Sequence, residues 1–550
     1  MSFAAFFAPF PSGRILLDRA DVLVVDKPAP LVVHGGDVVL AGDLVSRLRE
    51  FLRARGDHDY LGVHQRLDVG TSGVLFFTRD AALNADVARQ FEWHELERVY
   101  VAAVTFDGPR CPLAKSGVLE HQLDTSGGST RVVKRGGKRA LTRYRLRDAR
   151  AGRALVELRP ETGRTHQLRA QLAHVGAAII GDREYGGLPA FRLMLHAERL
   201  ALASPELAIE AAVPEEILES VRGVGPTLPS GAGLRRALVD AGSLRYPLVA
   251  RTESFRVVND LGDGLPGVVV DRYGEFAVLS LASESAAARS QELAELLAAH
   301  GARGVYLKQR ARTDLRRAAH AELAPPQPIL GESAPSELVV SESGRRFAVA
   351  LGDGLSTGLF LDQRDNRARM AELCGGARVL NLFCYTGSFS VYAALGGASH
   401  VTSVDLSARA LARGKANFEL NQLDPAQHAF VRADALEWLA RASKRGARFD
   451  VVILDPPSFA TAGKGKTFRA ADGYERALAL ALSVLEPGGR LLAVTNHQKT
   501  SVASFRKTAH AAARAAGLEL AQLKDLPSPL DCPAGPDGPF PAKSMLITLK

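Results

Sequence analysis

The sequence predicts a multidomain chain: an α+β domain built on a mixed sheet, then a small α+β unit carrying a hairpin, then an α/β domain with a doubly wound parallel sheet. Three observations lead there. At 550 residues the chain exceeds what one hydrophobic core organises, so several domains are expected. Residues 1–225 carry short β-like runs separated by turn residues, the pattern of an antiparallel or mixed sheet. From residue 345 or so onward, strand-like runs alternate with helical ones, the pattern of parallel βα units.

In order along the chain, DVLVVDKP, GVLFFTR, VYVAAVTF and RALVELRP are the expected strands of the first domain, 1–225. GVGPTLPSGAG, rich in Gly and Pro, marks a break, and a linker is expected over 226–239. In the small unit, 240–335, FRVVND, VVVDRYG and FAVLSLAS form a hairpin and its neighbour. The helix SAAARSQELAELLAAHG and the strand GVYLKQ follow. The last domain, 336–550, reads as strands RVLNLF, HVTSVDL, FVRADA, FDVVILDPP and RLLAVTN with helices between them.

Composition sets bounds. Apolar content of 46% and charged content of 23% are ordinary for globular protein. No apolar run approaches the roughly 20 residues that span a bilayer, so no membrane association is expected. The start, MSFAAFFAPFPSGR, is apolar but short and without a basic leader, and is not expected to be a signal peptide. Cys111, Cys374, Cys384 and Cys532 are scattered without CxxC spacing, which disfavours a zinc site or a disulfide framework and fits a reducing cytoplasm. The net charge of +9 makes a polyanionic partner plausible. Residues 131–150 hold nine Lys/Arg against Asp148 alone. They form either a solvated strand pair with Arg-rich faces or a surface that follows phosphates.

The last domain can be read at its strand ends, where doubly wound sheets bind ligands. Asn381 ends the first strand, and Gly387 opens the helix after it. Asp405 ends the second strand, where an acid suits a ribose diol. Asp434-Ala435 ends the third and suits an adenine amino group; Asp455-Pro456-Pro457-Ser458-Phe459 ends the fourth. Neither GxGxxG nor GxxxxGK[ST] is present, so a nicotinamide dinucleotide and a P-loop nucleotide are disfavoured and an adenosyl group without pyrophosphate fits better.

DGLSTGLFLDQRDNR (353–367), NLFCYTGSFSVYAALGGASHVTSVDLS (381–407), LDPPSF (454–459) and GDGLPGVVVDRYG (262–274) resemble the class I S-adenosylmethionine-dependent RNA methyltransferases of the RlmI and RlmKL type over residues 240–550. The RNA-binding module usual at the front of the RlmI type is not recognisable. The resemblance implies a Rossmann-like domain binding S-adenosylmethionine through Asn381, Phe383, Tyr385, Thr386, Gly387, Asp405, Leu406, Asp434, Ala435 and Asp455. It implies a catalytic loop at Asp455, Pro456 and Pro457. There, Phe459 stacks on a base drawn out of its helix and backbone carbonyls with the Asp455 carboxylate orient the methyl-accepting nitrogen. Cytosine members of the family keep a cysteine at the end of the next strand. Here that place reads AVTNHQKT, with Asn496, so a guanine nitrogen is favoured over cytosine carbon 5.

The first domain offers a lone acid, Asp68, in HQRLDVGTSG (64–73). By itself it reads as a cap or turn residue. DKPAPLVVHGG (26–36), the strand opening at Arg98-Val99-Tyr100, ETGRTHQLR (161–169), GDREYG (181–186) and LMLHAERL (193–200) follow it in an order that resembles the RluA-type pseudouridine synthases over residues 14–215. Gln65 departs from the commonest spelling. The resemblance implies that Asp68 is the nucleophile or proton abstractor acting at the ribose, paired with Arg164. It implies that Tyr100 stacks on the base and transfers a proton, and that Arg66 and Leu168 contact the substrate. His64, His166, His174 and His196 read as loop and core histidines, and no metal is expected. The S4 RNA-binding domain often found in front of this family is expected to be absent.

Together the two halves predict a bifunctional RNA-modifying enzyme: a uridine-to-pseudouridine isomerase joined to an S-adenosylmethionine-dependent base methyltransferase. Large-subunit ribosomal RNA is the favoured substrate. A tRNA target for the first half, or an RNA-binding assembly factor with one inactive half, are the alternatives. Oligomeric state is not predicted.

Overall fold

The computed structural model describes residues 2–35, 42–93, 95–310, 323–457, 459–461, 467–535 and 542–550, with backbone alone at 459–461 and 467–472. Gly36 and Ser458, and the side chain of Phe459, lie outside the described residues.

The first domain holds twelve strands: β1 Ile15–Asp18, β2 Val22–Lys27, β3 Gly62–Val63, β4 Ser72–Thr78, β5 Glu97–Thr105, β6 Ser116–Asp124, β7 Arg131–Val133, β8 Lys138–Arg150, β9 Arg153–Pro160, β10 Ala178–Ile179, β11 Leu195–Leu202 and β12 Leu207–Glu210. They form one sheet, β1-β2-β4-β11-β5-β9-β8-β6-β7, with β3, β10 and β12 paired at its flanks. Among the described residues only β4 and β11 run parallel, so the sheet is mixed, as the sequence predicts. β2 and β4 are continuous apolar runs because both faces are covered: every residue of each is buried.

The basic run 131–150 forms β7 and β8, and much of its charge is matched. Arg139 pairs with Glu120, Arg143 with Glu161, and Arg145 and Arg147 with Glu157. The solvated strand pair is therefore the better description of β8.

The small unit is a five-stranded sheet in the order β13 Ser254–Asn259, β14 Val268–Tyr273, β15 Phe276–Leu281, β16 Gly304–Gln309 and β17 Leu330–Gly331. Its boundaries differ from expectation. Residues 231–239, expected as linker, lie in the helix Gly231–Leu244, which buries Leu234, Leu238 and Ala241 in this unit's core. Phe3, Phe6 and Phe7 join the same core, so the first residues of the chain pack with the small unit and not with the domain that follows them. The reason is aromatic area. Three phenylalanines near the chain start need an apolar surface, and the β13–β15 sheet offers one.

The hairpin β18 Leu338–Glu342 with β19 Arg345–Val349 leads into the last domain. Val340 and Phe347 share a core with Tyr273 and Phe276 of the small unit, so no linker separates the two. Beyond it come β20 Arg378–Leu382, β21 His400–Asp405, β22 Ala429–Arg432, β23 Phe449–Leu454, the short pair β24 Phe459–Thr461 and β25 Thr467–Arg469, then β26 Leu485–Thr495, β27 Leu520–Leu526 and β28 Lys543–Leu549. The main sheet runs β22-β21-β20-β23-β26-β28-β27, with β28 antiparallel to both neighbours. Strand order reverses between β20 and β23, which makes the carboxyl ends of these strands the switch point where ligands bind.

Candidate functional sites

The methyltransferase-like cavity opens at that switch point. Its volume is about 880 Å³, inside the range of small-molecule sites. Asn381, Phe383, Tyr385, Asp405, Leu406, Asp434, Ala435 and Asp455, eight of the ten residues expected at a cofactor, line this one cavity. So do Pro456, Pro457 and Asn496.

Local folding fixes these groups. Asp405 accepts from the backbone N–H of Tyr385 at 2.9 Å and of Ser407 at 2.8 Å. A carboxylate has about four acceptor positions, so capacity for a diol remains. Asp434 caps the helix Ala435–Lys444, accepting from Leu436 and Glu437 through one oxygen. Asn381 is 2% exposed, and its amide donates to Ser390 Oγ at 2.9 Å. Phe383 and Tyr385 hold left-handed backbone at φ 55° and 51°, strain of the kind that gathers at binding loops.

Two expected cofactor residues lie behind the wall and do not line the cavity. The Thr386 hydroxyl donates to the Gly358 carbonyl at 2.5 Å, and Thr386 is 1% exposed. Gly387 has φ 72° at the start of the helix Ser388–Leu395, and an added Cβ would touch Gly414 Cα at 3.4 Å. Its glycine serves backbone conformation and helix packing.

The segment 353–367 supplies wall residues that no single motif position singled out: Phe360, Asp362 and Arg367. Arg367 is fully buried, bidentate to Glu342 at 2.8 and 2.6 Å, and donates to the Phe360 carbonyl. Burial, with Asp362 beside it and Arg367 opposing, pushes the Asp455 carboxyl up to about 7. Burial also raises Asp362. Cys384 is the one thiol that lines the cavity among the described residues, and burial with Asp405 nearby pushes it well above the usual thiol range. Cys532 is 1% exposed and is raised by burial and Asp531.

The second site forms where β4, β11 and β5 lie side by side. Ala197 of β11 faces Gly73 on one side and Tyr100 on the other, so the loop before β4 and the face of β5 meet across one small residue. Gly73 is required there: φ is 115°, and a Cβ would sit 2.1 Å from the Ala197 carbonyl oxygen. Leu67 anchors the Asp68 loop in a core that Tyr100 borders, and Leu168 belongs to a second core that Tyr100 also borders. Arg66 is exposed. Tyr100 is raised by burial, against Arg98 and with Asp68, so its phenol stays protonated.

Asp68 does have a guanidinium partner, but not the expected one. Arg169 Nη1 lies 3.8 Å from Asp68 Oδ2, whereas Arg164 Nε donates to the Arg139 carbonyl at 3.3 Å. His166 takes left-handed backbone, φ 50°, as the cap of the helix Gln167–His174. The chain turns there, so Arg164 is left in the loop and Arg169 is carried on the helix. Arg169 is held by the 181–186 loop: it is bidentate to Asp182 at 2.7 and 2.8 Å, and Tyr185 lies under it with 4.9 Å between guanidinium carbon and ring centre. Lys27, also missed in sequence, is fully buried and donates to the Leu31 and Val69 carbonyls, which fixes the turn beside Asp68. Burial pushes it down to about 7. His196 is buried between Ser72 and the Ala211 carbonyl, a core histidine as read from sequence.

Comparison with known proteins finds a match for both domains. A family model for S-adenosylmethionine-dependent methyltransferases matches residues 292–534, and one for RNA pseudouridylate synthases matches 21–174. A ribosomal RNA large subunit methyltransferase of Deinococcus radiodurans is 40% identical over 288 residues, 52% of this chain and 70% of that protein. This chain belongs to the ribosomal RNA large subunit methyltransferase family. Ribosomal RNA large subunit methyltransferase I of Klebsiella pneumoniae is 36% identical over 305 residues, 55% of this chain and 75% of its own. A methyltransferase crystallised with SAH has TM-score 0.52 and 29% identity, covering 59% of this chain and 83% of that one. This family member therefore carries a pseudouridylate synthase domain in front of its S-adenosylmethionine-dependent methyltransferase domain, and is an enzyme of both classes. Among the described residues, no cluster of three or more His, Cys, Asp or Glu could hold a metal ion, and no helix is long and apolar enough to cross a membrane.

Proposed function

We propose that the chain modifies large-subunit ribosomal RNA twice, isomerising a uridine at Asp68 and methylating a base at the Asp455 loop. The observation that carries this is the convergence of the Asn381, Asp405, Asp434 and Asp455 strand ends on one cavity, beside a separate Asp68–Arg169 pair under Tyr100. S-adenosylmethionine supplies the methyl group when bound. Asp405 holds the ribose diol, the Asp434–Ala435 turn meets the adenine, and Pro456 and Pro457 shape the opening for the base. Asp455 accepts from the target's N–H and keeps its nitrogen aligned. In the first domain Asp68 attacks or deprotonates at the ribose, Arg169 orients its carboxylate, Leu168 and Tyr100 sandwich the uracil, and Tyr100 moves the later proton.

The methylated atom in this reading is a guanine nitrogen. Carbon-5 chemistry needs a thiolate. The cavity-lining Cys384 and the buried Cys532 are both pushed toward the protonated thiol. The domain limits that go with this function are residues 8–225 for the isomerase, 231–335 together with 3–7 for the small unit, and 336–550 for the methyltransferase. The test treats large-subunit ribosomal RNA from cells lacking this gene with the purified protein and S-adenosylmethionine, then separates the nucleosides by liquid chromatography, which resolves pseudouridine from uridine, and reads them by mass spectrometry. A new pseudouridine and a new methylguanosine are expected. A new 5-methylcytidine, lost in Cys384→Ser or Cys532→Ser, would overturn the nitrogen assignment.

A further inference from the structure

Arg164 stands in a motif of the isomerase domain, yet the Asp68 pairing belongs to Arg169. Its actual surroundings are a groove of about 660 Å³ lined by five guanidiniums: Arg98, Arg139, Arg143, Arg159 and Arg164. Three carboxylates, Glu95, Glu97 and Glu161, share the wall. They do not serve all five equally. Arg159 pairs with Glu97 and Glu157, Arg143 with Glu161, and Arg139 with Glu120.

Arg98 and Arg164 have no carboxylate partner among the described residues. Each meets only a backbone carbonyl: Arg98 Nη2 with Pro160 at 3.4 Å, Arg164 Nε with Arg139 at 3.3 Å. Arg98 Nε is buried and makes no hydrogen bond at all. Each guanidinium therefore keeps further N–H donors for an incoming anion. The groove also points somewhere. Arg98 and Tyr100 are two apart on β5, hence on one face and about 6.7 Å from each other along the strand. The groove thus ends beside the tyrosine under which the uracil is held.

We propose that Arg98 and Arg164 bind the RNA phosphodiesters next to the flipped uridine, making this groove the strand-holding site of the isomerase domain. The proposal rests on the isomerase reading of Asp68. Guanidinium groups suit phosphate through bidentate donation, and such contacts set position without reading sequence. The paired arginines Arg139, Arg143 and Arg159 form the walls, and the two unpaired ones supply the charge.

The experiment measures binding of fluorescein-labelled oligouridylate to the full chain across a salt series, for wild type, Arg98→Gln/Arg164→Gln, Arg98→Lys/Arg164→Lys and Asp68→Asn. Two lost phosphate contacts at about 0.7 each make the slope of log affinity against log salt shallower by about 1.4, with affinity about tenfold weaker at low salt. The lysine pair keeps most of the slope, which separates charge from misfolding. Wild-type slope and affinity in the glutamine pair would overturn the proposal. So would equal losses in the glutamine and lysine pairs, because a phosphate site retains charge-dependent binding. Asp68→Asn binds as wild type while forming no pseudouridine. Pseudouridine formation by that variant would sink the catalytic reading of Asp68 without touching the groove.

Discussion

Asp455 has the residue-scale property with the sharpest consequence. Its folded-state pKa of about 7 lies above the ordinary 3.8, so the fold favours the protonated carboxyl. The stability this group contributes is present at low pH and is lost as pH rises from about 4 through about 7. A sulfonium bound in the same cavity reverses the preference, because a nearby positive charge favours the carboxylate. Cofactor binding near neutral pH is therefore expected to release a proton. Calorimetry in buffers of different ionisation enthalpy would read it, and Asp455→Asn should remove it. A binding enthalpy that does not change with buffer in the wild type would refute this. Gly73 makes a second residue-scale prediction. Gly73→Ala combines a disfavoured φ of 115° with a 2.1 Å clash on the Ala197 carbonyl and should cost about 3 kcal/mol in urea unfolding. A change under about 0.5 kcal/mol, the range of ordinary surface substitutions, would contradict it.

At the scale of elements, the β4–β11 pairing positions the Asp68 loop and also carries acid sensitivity. His196 links the two strands from inside the core, and burial pushes its pKa down to about 4. A depressed histidine stays neutral in the fold but protonates in the unfolded chain. Stability is therefore lost as pH falls from 6.5 toward about 4, by about 3 kcal/mol at about 1.4 kcal/mol per unit. His196→Gln should flatten the fall of the first domain's melting temperature over that range; a fall as steep as in the wild type would assign it to other groups. The strands themselves were legible in sequence because continuous apolar runs such as those of β2, β4, β20 and β23 have no other stable home. The methyltransferase site was legible for a related reason: strand ends at βα spacing converge wherever the sheet reverses order. The partner of Asp68 was not. Arg164 and Arg169 are both near in sequence, and spacing does not show that Arg164 falls in the loop before the His166 cap while Arg169 is carried on the helix beside the carboxylate. The placement of Thr386 and Gly387 behind the cavity wall was not legible either, since a loop residue can face the cavity or the helix behind it and spacing does not distinguish the two.

At the scale of the whole molecule, the three units are joined through buried charge and aromatic packing. Arg14 contacts Asp26 of the first domain and Asp240 of the helix Gly231–Leu244. Asp531, fully buried, receives Arg364 of the last domain and the Arg256 backbone of the small unit. Phe3 and Phe7 lie against Phe255 and under Arg272, whose guanidinium carbon is 5.8, 4.9 and 5.3 Å from the rings of Phe3, Phe7 and Phe255. These joins were invisible in sequence because Arg14 with Asp240, Arg256 with Asp531, and Phe7 with Phe255 lie more than two hundred positions apart. Phe3→Ala/Phe7→Ala should cost about 3 kcal/mol or more per ring removed. The small unit would melt earlier in calorimetry while the isomerase transition stayed in place. A shift confined to the isomerase transition would put the aromatic segment back in the first domain.

The central claim is that one chain holds two chemically independent sites. The most direct measurement maps modified nucleosides in ribosomal RNA from cells carrying Asp68→Asn or Asp405→Ala in place of the wild-type gene, reading methyl groups by mass and pseudouridine, which has the mass of uridine, by carbodiimide labelling and primer extension. The account predicts loss of one pseudouridine with the methyl group retained in the first strain, and loss of one methyl group with the pseudouridine retained in the second. Disappearance of both modifications in either strain, or of neither in both, would contradict it.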